Sequence, residues 1–188
     1  YSGIYADGST SSKYINNKVV DNDGYGIDLD YYWGGNSASV INNQILRNEK
    51  SGLYFSSVDV NKIENNTIKN NGEYGIVFSG SVQNYLWNNT ISLNEDLDIV
   101  LVLSSNNNYA INTVFSTISV DSDSSLILKE YFVLDVNDAS GNNMSGIDIK
   151  VMEDDTLKYA SSYFGGSDPK TDSYGTIETF LIDYVIYD

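Results

Sequence analysis

The sequence predicts an all-β protein: a right-handed parallel β-helix of about five coils, followed by a small C-terminal β-sandwich. Three observations predict this fold class. A short unit repeats along the first two-thirds of the chain, and apolar and polar residues alternate inside each unit. After the last unit the repeat stops, and strand-like segments alternate with turn-rich loops. The length of 188 residues suits one or two domains.

Each copy of the unit carries a glycine marker followed by an asparagine marker. The asparagine marker falls at residues 17, 43, 66, 89 and 112, so the first step is 26 residues and the next three are 23. The longer step indicates three extra residues near 31–35. A fixed period of this length is typical of a solenoid, whose units bury their apolar faces on their neighbours. The glycine markers begin the segments GIYAD at Gly3, GIDLD at Gly26, GLYFS at Gly52, GIVFS at Gly75 and the degenerate DIVLV at Asp98.

Alternation inside the unit predicts strands. In GIDLD, Ile27 and Leu29 face one way while Asp28 and Asp30 face the other. Two or three short strands in 23 residues leave no room for a helix, and the consensus of a leucine-rich repeat is absent, so a parallel β-helix remains. Two inner columns are predicted near the second marker: Tyr14, Val40, Ile63, Leu86 and Tyr109, and then Val19, Ile45, Ile68, Ile91 and Val114.

The pattern Gly-Ile-x-Leu followed by Asn-Asn-x-Ile resembles the parallel β-helix repeat family of the pectate-lyase-like superfamily, which includes NosD-type and other surface proteins. The resemblance covers about residues 1–120. It implies the fold and says little about function.

The marker residues are predicted to be structural. Asparagine tolerates the left-handed backbone of a sharp turn, and stacked amides can hydrogen-bond along the coil axis. The marker glycines are interpreted as permissive corners in the same way. The predicted ladder consists of Asn17, Asn43, Asn66, Asn89 and Asn112.

Composition excludes several kinds of site. The chain has no Cys and no His, which removes disulfides, thiolate metal sites and the usual general base. A net charge of −16 makes nucleic acid an improbable partner. No window is apolar enough to span a bilayer. One Pro and 16 Tyr, with abundant Asn and Ser, fit an extracellular or cell-surface protein; its candidate glycosylation sites are Asn65, Asn88 and Asn143.

The segment 126–188 is predicted to be a separate β-sandwich domain. Strand-like segments alternate there with turn-rich loops. The segment resembles small immunoglobulin-like or transthyretin-like domains, nearest to the carboxypeptidase-regulatory-like family, which implies a structural or adhesive extension. The matching residues are Val136, Asp138, Gly141, Gly146, Ile149, Val151, Thr171, Asp172 and Gly175.

Outward positions after each marker glycine form the candidate groove. Asp7, Asp28 and Asp30 could reach the carboxyl separation of a glycosidase. Without His, or Arg or Lys in the groove, we expect no catalytic residues and no enzyme activity. The candidate ligand-binding residues are the aromatic side chains Tyr31, Tyr32, Trp33 and Tyr54, which could stack on sugar rings.

No cofactor is expected to be required, and any bound ion is expected to be Ca²⁺ or a similar hard cation. Its candidate ligands are Asp28 and Asp30, or Asp168 and Asp172. Val100 and Val102, on the outward side of the last coil, are expected to be exposed and to invite a cover.

These features together are interpreted as an extracellular or cell-surface structural or adhesive module that self-assembles into a homo-oligomer or polymer, such as a surface layer, sheath or filament. The alternatives are a polysaccharide hydrolase, lyase or epimerase that uses the three aspartates, and a carbohydrate-binding module that uses the aromatic residues.

Overall fold

The computed structural model describes residues 1–8, 10–153, 155–177 and 180–188, without the side chains of 32–36, 180 and 184. The chain divides into two units, the first made of Tyr1–Lys129 with Tyr184–Asp188 and the second of Glu130–Asp183. In chain order the strands are β1 (Ile4–Asp7), β2 (Lys13–Ile15), β3 (Lys18–Val20), β4 (Ile27–Asn36), β5 (Ser39–Ile41), β6 (Gln44–Leu46), β7 (Leu53–Asp59), β8 (Lys62–Glu64), β9 (Thr67–Lys69), β10 (Ile76–Ser79), β11 (Tyr85–Trp87), β12 (Thr90–Ser92), β13 (Ile99–Val102), β14 (Asn108–Ile111), β15 (Ile118–Val120), β16 (Leu126–Phe132), β17 (Lys150–Glu153), β18 (Thr156–Ala160) and β19 (Phe180–Tyr187).

The first unit is a β-solenoid of about five turns. Its described strands form three sheets that run along the axis, with the orders β1-β4-β7-β10-β13-β15, β19-β16-β14-β11-β8-β5-β2 and β12-β9-β6-β3. Successive coils pair in parallel and in register, so that Ile27 lies beside Leu53 and Leu53 beside Ile76. No helix in the described residues is long and apolar enough to cross a membrane.

The inward residues of the three sheets form one continuous core. Ile27, Leu53 and Ile76 are fully buried in the first sheet, and the rings of Phe55 and Phe78 stack with centroids 5.3 Å apart. Each such side chain contributes about 1.5–3 kcal/mol by leaving water. The three extra residues of the long step lie where predicted, since the register between β4 and β7 shifts between Asp30 and Gly35.

The two residues of each Asn-Asn pair have different roles. Asn42 and Asn65 adopt φ of 57° and 54° and make the turn. The second asparagine forms the ladder: the backbone N–H and Nδ2 of Asn43 both donate to Oδ1 of Asn66, at 2.9 and 3.0 Å. Asn66 makes the same two bonds to Asn89, at 3.0 and 2.9 Å, and Asn17 makes them to Asn43.

The fifth coil departs from the prediction because it contains one extra residue. Leu103 and Ser104 both have positive φ where the preceding coil has Gly80 alone, and Ser81 therefore aligns with Ser105. The residues that follow are shifted by one position. Three predicted positions are wrong for this reason: Ala110 rather than Tyr109 points inward, Phe115 rather than the exposed Val114 packs on the core, and Thr113 rather than Asn112 accepts from Asn89.

The marker glycines are required for close approach and not for a left-handed backbone. None of Gly3, Gly26, Gly52 and Gly75 has positive φ, which corrects the interpretation as permissive corners. A Cβ on Gly52 would lie 2.6 Å from Cγ2 of Ile68 and 2.9 Å from the carbonyl oxygen of Gly75. Backbone and core crowd this position from two coils, so a side chain does not fit.

Further ladders run along the axis that the sequence did not predict. One connects Asn22, Asn48, Asn71 and Asn94 through Nδ2–Oδ1 bonds of 2.7–2.9 Å. Another connects Asn61, Asn84 and Asn108 through bonds of 2.6 and 2.8 Å. Among the described residues, no buried side-chain nitrogen or oxygen lacks a hydrogen-bond partner.

The ladder of Asn22, Asn48, Asn71 and Asn94 ends at a buried aspartate. The last turn is short: Thr90 aligns with Val114 but Ile99 with Ile118, so no asparagine follows Asn94. Asp98, which is 2% exposed and occupies the glycine position, accepts from Asn94 Nδ2 at 3.0 Å and from the N–H of Ser116 at 2.8 Å.

The C-terminal region differs from the predicted domain of residues 126–188. Leu126 and Leu128 alternate into the core and continue the second sheet, and β19 pairs with β16. In the second unit the described strands form the antiparallel hairpin β17–β18, which is followed by a short 3₁₀ helix at Ser162–Phe164. A separate β-sandwich is not shown.

We predict that Asn66→Ala lowers the free energy of unfolding by about 3 kcal/mol or more, because it leaves buried donors and acceptors of the neighbouring coils unpaired. The matched control is Asn65→Gly, which keeps the positive φ and should change stability by less than about 0.5 kcal/mol. Urea unfolding of both variants is the measurement. Equal stabilities would mean that the ladder contributes nothing.

We also predict that Asp98→Asn destabilises the protein by about 1–3 kcal/mol, because both carboxylate oxygens accept hydrogen bonds and an amide supplies one acceptor only. Exposed Asp96 offers a control with the same change of charge. Thermal unfolding should separate the two variants, and a loss of equal size in Asp96→Asn would point to charge rather than ladder geometry.

Candidate functional surface on the first sheet

The outer face of the first sheet brings the predicted carboxylates together. Tyr5, Asp28 and Tyr54 occupy one outward column, and Asp7 and Asp30 lie side by side in the next. Neighbours in one column are about 4.8 Å apart along the axis, and alternate residues of one strand are about 7 Å apart. The three aspartates therefore lie within one small patch, which we call the acidic face.

Tyrosine rings border the acidic face. Tyr54 stacks on Tyr25 with centroids 4.8 Å apart and planes at 22°, and Nζ of Lys50 lies 5.0 Å from the centre of the Tyr25 ring. Tyr5 is 60% exposed. The face thus combines aromatic rings, which can stack on a sugar or on an apolar side chain, with carboxylates that accept hydrogen bonds.

The carboxyl of Asp28 is partly shielded from solvent. Its side chain is half-buried, and Oδ2 accepts a hydrogen bond of 3.2 Å from Ser2 Oγ. Burial raises the pKa of Asp28 above the ordinary aspartate value, and the charge of Asp30 raises it further, while Ser2 and Lys50 act in the opposite direction. Desolvation and the charges of Asp7, Asp30 and Asp28 also raise the pKa of Tyr5.

The chemistry available from the strands of this face is that of carboxylates. The six strands of the first sheet contain no Lys or Arg. Two carboxyls about 7 Å apart fall within the range used by glycosidases, about 5–10 Å. A lyase mechanism would need a basic residue in this face, and its strands supply none.

The aromatic insertion is described in part. Tyr31 is half-buried and packs against the core, and its role in binding a ligand stays a prediction. The side chains of Tyr32 and Trp33 lie outside the described residues. Tyr54, by contrast, is on the acidic face.

The expected exposure of the last coil is wrong for one of its two valines. Val100 is 9% exposed and its column neighbour Val77 is 6% exposed, while Val102 is half-buried. Val77 and Val100 lie next to each other in the outward column, so each covers one flank of the other. Val100 therefore does not require a covering partner.

The other predicted metal ligands hold turns. Asp168 Oδ2 accepts from the N–H of Ala160 at 2.7 Å, and Asp172 Oδ1 accepts from the N–H groups of Tyr174 and Thr176 at 2.8 and 3.0 Å. The hydrogen bonds to Asp172 lower its pKa. Among the described residues, no group of three or more acidic side chains is close enough to hold a metal ion.

The candidate glycosylation sites Asn65, Asn88 and Asn143 are all exposed. Asn65 and Asn88 stand at the left-handed corners of adjacent coils and carry no ladder bond through their side chains. Their modification remains a prediction.

The second sheet carries an aromatic cluster that was not predicted from the sequence. The rings of Tyr85 and Tyr109 stack at 5.0 Å, those of Tyr85 and Trp87 at 5.8 Å, and Nζ of Lys129 lies 5.2 Å from the Tyr109 ring. The alternating segment YLW at 85–87 was a signal for two outward rings. Their partner Tyr109 was assigned to the core because of the uncounted residue in the fifth coil.

Asp28 should make stability depend on pH in an unusual direction. A raised pKa means that the ionised form is disfavoured in the folded protein, so Asp28 lowers stability at neutral pH, and the cost disappears as pH falls below the unfolded value of about 3.9. We predict that Asp28→Asn melts at a higher temperature than wild type at pH 7 and at the same temperature at pH 3.

The control with the opposite sign is Asp21, whose pKa is lowered by its hydrogen bonds to Arg47. Asp21→Asn should melt no higher than wild type at pH 7. A lower melting temperature for Asp28→Asn at pH 7 would contradict the raised pKa.

Comparison with known proteins addresses the fold. A family model described as "Right handed beta helix region" matches residues 1–115 and, in a second match that overlaps the first, residues 31–164. Comparisons with curated proteins and with solved structures returned no match. The family match covers more than half of the chain, and the coils and parallel sheets of the structure agree with the match. The protein therefore belongs to the right-handed β-helix family.

Proposed function

We propose that the protein is an extracellular or cell-surface structural and adhesive module that associates with further copies of itself. This proposal rests on one observation: the buried and the exposed polar residues of the protein have different roles. The buried asparagines are engaged in axial ladders that stiffen the solenoid, while the acidic face and its tyrosines are held on the outside of a rigid sheet. A rigid rod with a fixed pattern of outward groups suits a scaffold.

For the second unit we keep the proposal of an extension of the immunoglobulin-like or transthyretin-like class, which its antiparallel hairpin supports.

A specific observation favours a second candidate function, an enzyme or binding module that acts on a neutral polysaccharide. Asp28, with its raised pKa, lies beside Asp30 on a face bordered by tyrosines. Carboxyls whose environments differ in this way are found as the acid and base of glycosidases. In this reading Asp28 holds the proton, and Asp30 or Asp7 is the base or nucleophile.

Self-association is tested by sedimentation velocity and electron microscopy over a range of protein and salt concentrations. We expect species larger than the 20.8 kDa chain that increase with protein concentration. Because the net charge of −16 opposes contact at low salt, they should increase as screening is added. A chain that stays monomeric under every condition, while it cleaves or binds a polysaccharide and loses this in Asp28→Asn, would establish the second candidate instead.

A further inference from the structure

Charged residues are segregated between two side faces of the solenoid. The strands of the first sheet contain four aspartates and no basic residue. The strands of the third sheet, β3, β6, β9 and β12, contain Lys18 and Lys69 and no acidic residue. In a chain with 26 acidic and ten basic residues, a sheet face that is purely basic runs against the overall balance.

Among the described residues, Asp7, Asp30, Lys18 and Lys69 form no ion pair, while Asp28 accepts a hydrogen bond from Ser2 and Asp59 accepts one from the N–H of Val82. The ion pairs of the described residues connect other side chains, such as Arg47 with Asp21 and Lys62 with Glu64. Lys50 acts on Asp28 and Lys18 on Asp21 through their charges only. Both faces thus carry charge that is available to a partner.

The two faces also fit each other in shape. The outward residues of the third sheet beside its lysines are uncharged: Gln44, Thr67 and Thr90 in one column, and Val20, Leu46 and Ser92 in the other. Such a surface lets another sheet approach closely, and tyrosine rings can pack on its aliphatic positions. Both faces repeat with the same coil spacing of about 4.8 Å, so the coils of two parallel copies stay in step along the axis, and Lys18 and Lys69 are separated by two coils, about 10 Å.

We propose that the occupant of the acidic face is a second copy of this chain, which docks with its third sheet. Lys18 and Lys69 of the neighbour lie against Asp7, Asp28 and Asp30, and the tyrosines pack on its threonine and aliphatic residues. This inference rests on the proposed self-association and names its surfaces. Because the two faces differ, the contact is heterologous and adds copies side by side into a sheet or bundle unless rotation closes it.

Charge-reversal variants test this pairing at an ionic strength of about 0.15 M, where charges more than about 8 Å apart are screened. One variant is Asp7→Lys with Asp30→Lys, and the other is Lys18→Glu with Lys69→Glu. Each alone should weaken self-association about tenfold or more, since like charges then meet across the contact. A mixture of the two should associate again, because each retains one native face that complements the other's.

The matched control is Lys150→Glu, an exposed lysine of the second unit, which should associate like wild type. Circular dichroism melting shows whether each variant is folded, and Asp7→Asn with Asp30→Asn, which should weaken association less, replaces the reversal if that variant unfolds. Wild type that assembles while both reversal variants assemble equally overturns the inference and leaves the proposed function standing. Wild type that never assembles overturns both. An acidic face that binds neutral oligosaccharides without self-association overturns the inference and assigns the face to a glycan.

Discussion

The amide ladder is the interaction on which the rest of this structure depends. A solenoid must turn sharply between sheets, and each turn buries backbone and side-chain polar groups that water cannot reach. Asn43 and Asn66, in successive coils, satisfy these groups with their side-chain amides. Each Oδ1 accepts hydrogen bonds from the preceding coil, and each Nδ2 donates to the asparagine of the following coil and to a backbone carbonyl of the preceding coil. The bonds require an acceptor at the equivalent place one coil away, which an asparagine supplies in most coils and Thr113 supplies in the last, so the repeat is a consequence of the chemistry.

The ladder also explains which positions are free to vary. Inward columns must be apolar, the marker glycine must lack a side chain, and the turn asparagine must tolerate positive φ. Outward positions carry none of these requirements, and they hold residues as different as Asp28 and Tyr54 in one column. The outward residues can therefore change without a change of fold. For this reason fold and function are weakly connected in solenoids.

Much of the fold could be predicted from the period, and the errors in the fifth coil have one physical source. A β-strand alternates, so a single inserted residue moves every following side chain to the opposite face until the register is restored. Leu103 and Ser104 occupy a turn that one glycine occupies in the previous coil, and nothing in the local composition marks the difference. Tyr109 was therefore assigned to the core when Ala110 fills it. The site was predictable in its aspartates, because they alternate with core residues, but burial of Val100 and Tyr31 depends on neighbours that are distant in sequence.

Catalysis and adhesion place different demands on the acidic face. A general acid must keep its proton near neutral pH, which requires strong desolvation or a close like charge. Asp28 has both effects in part, but it is only half-buried, and Ser2 and Lys50 favour its ionised form. A docking face instead needs charges at fixed spacing on a surface that does not deform, with complementary charges elsewhere. The parallel register fixes that spacing, and in the proposed contact Lys18 and Lys69 supply the complement, so that contact requires less of Asp28 than proton transfer would.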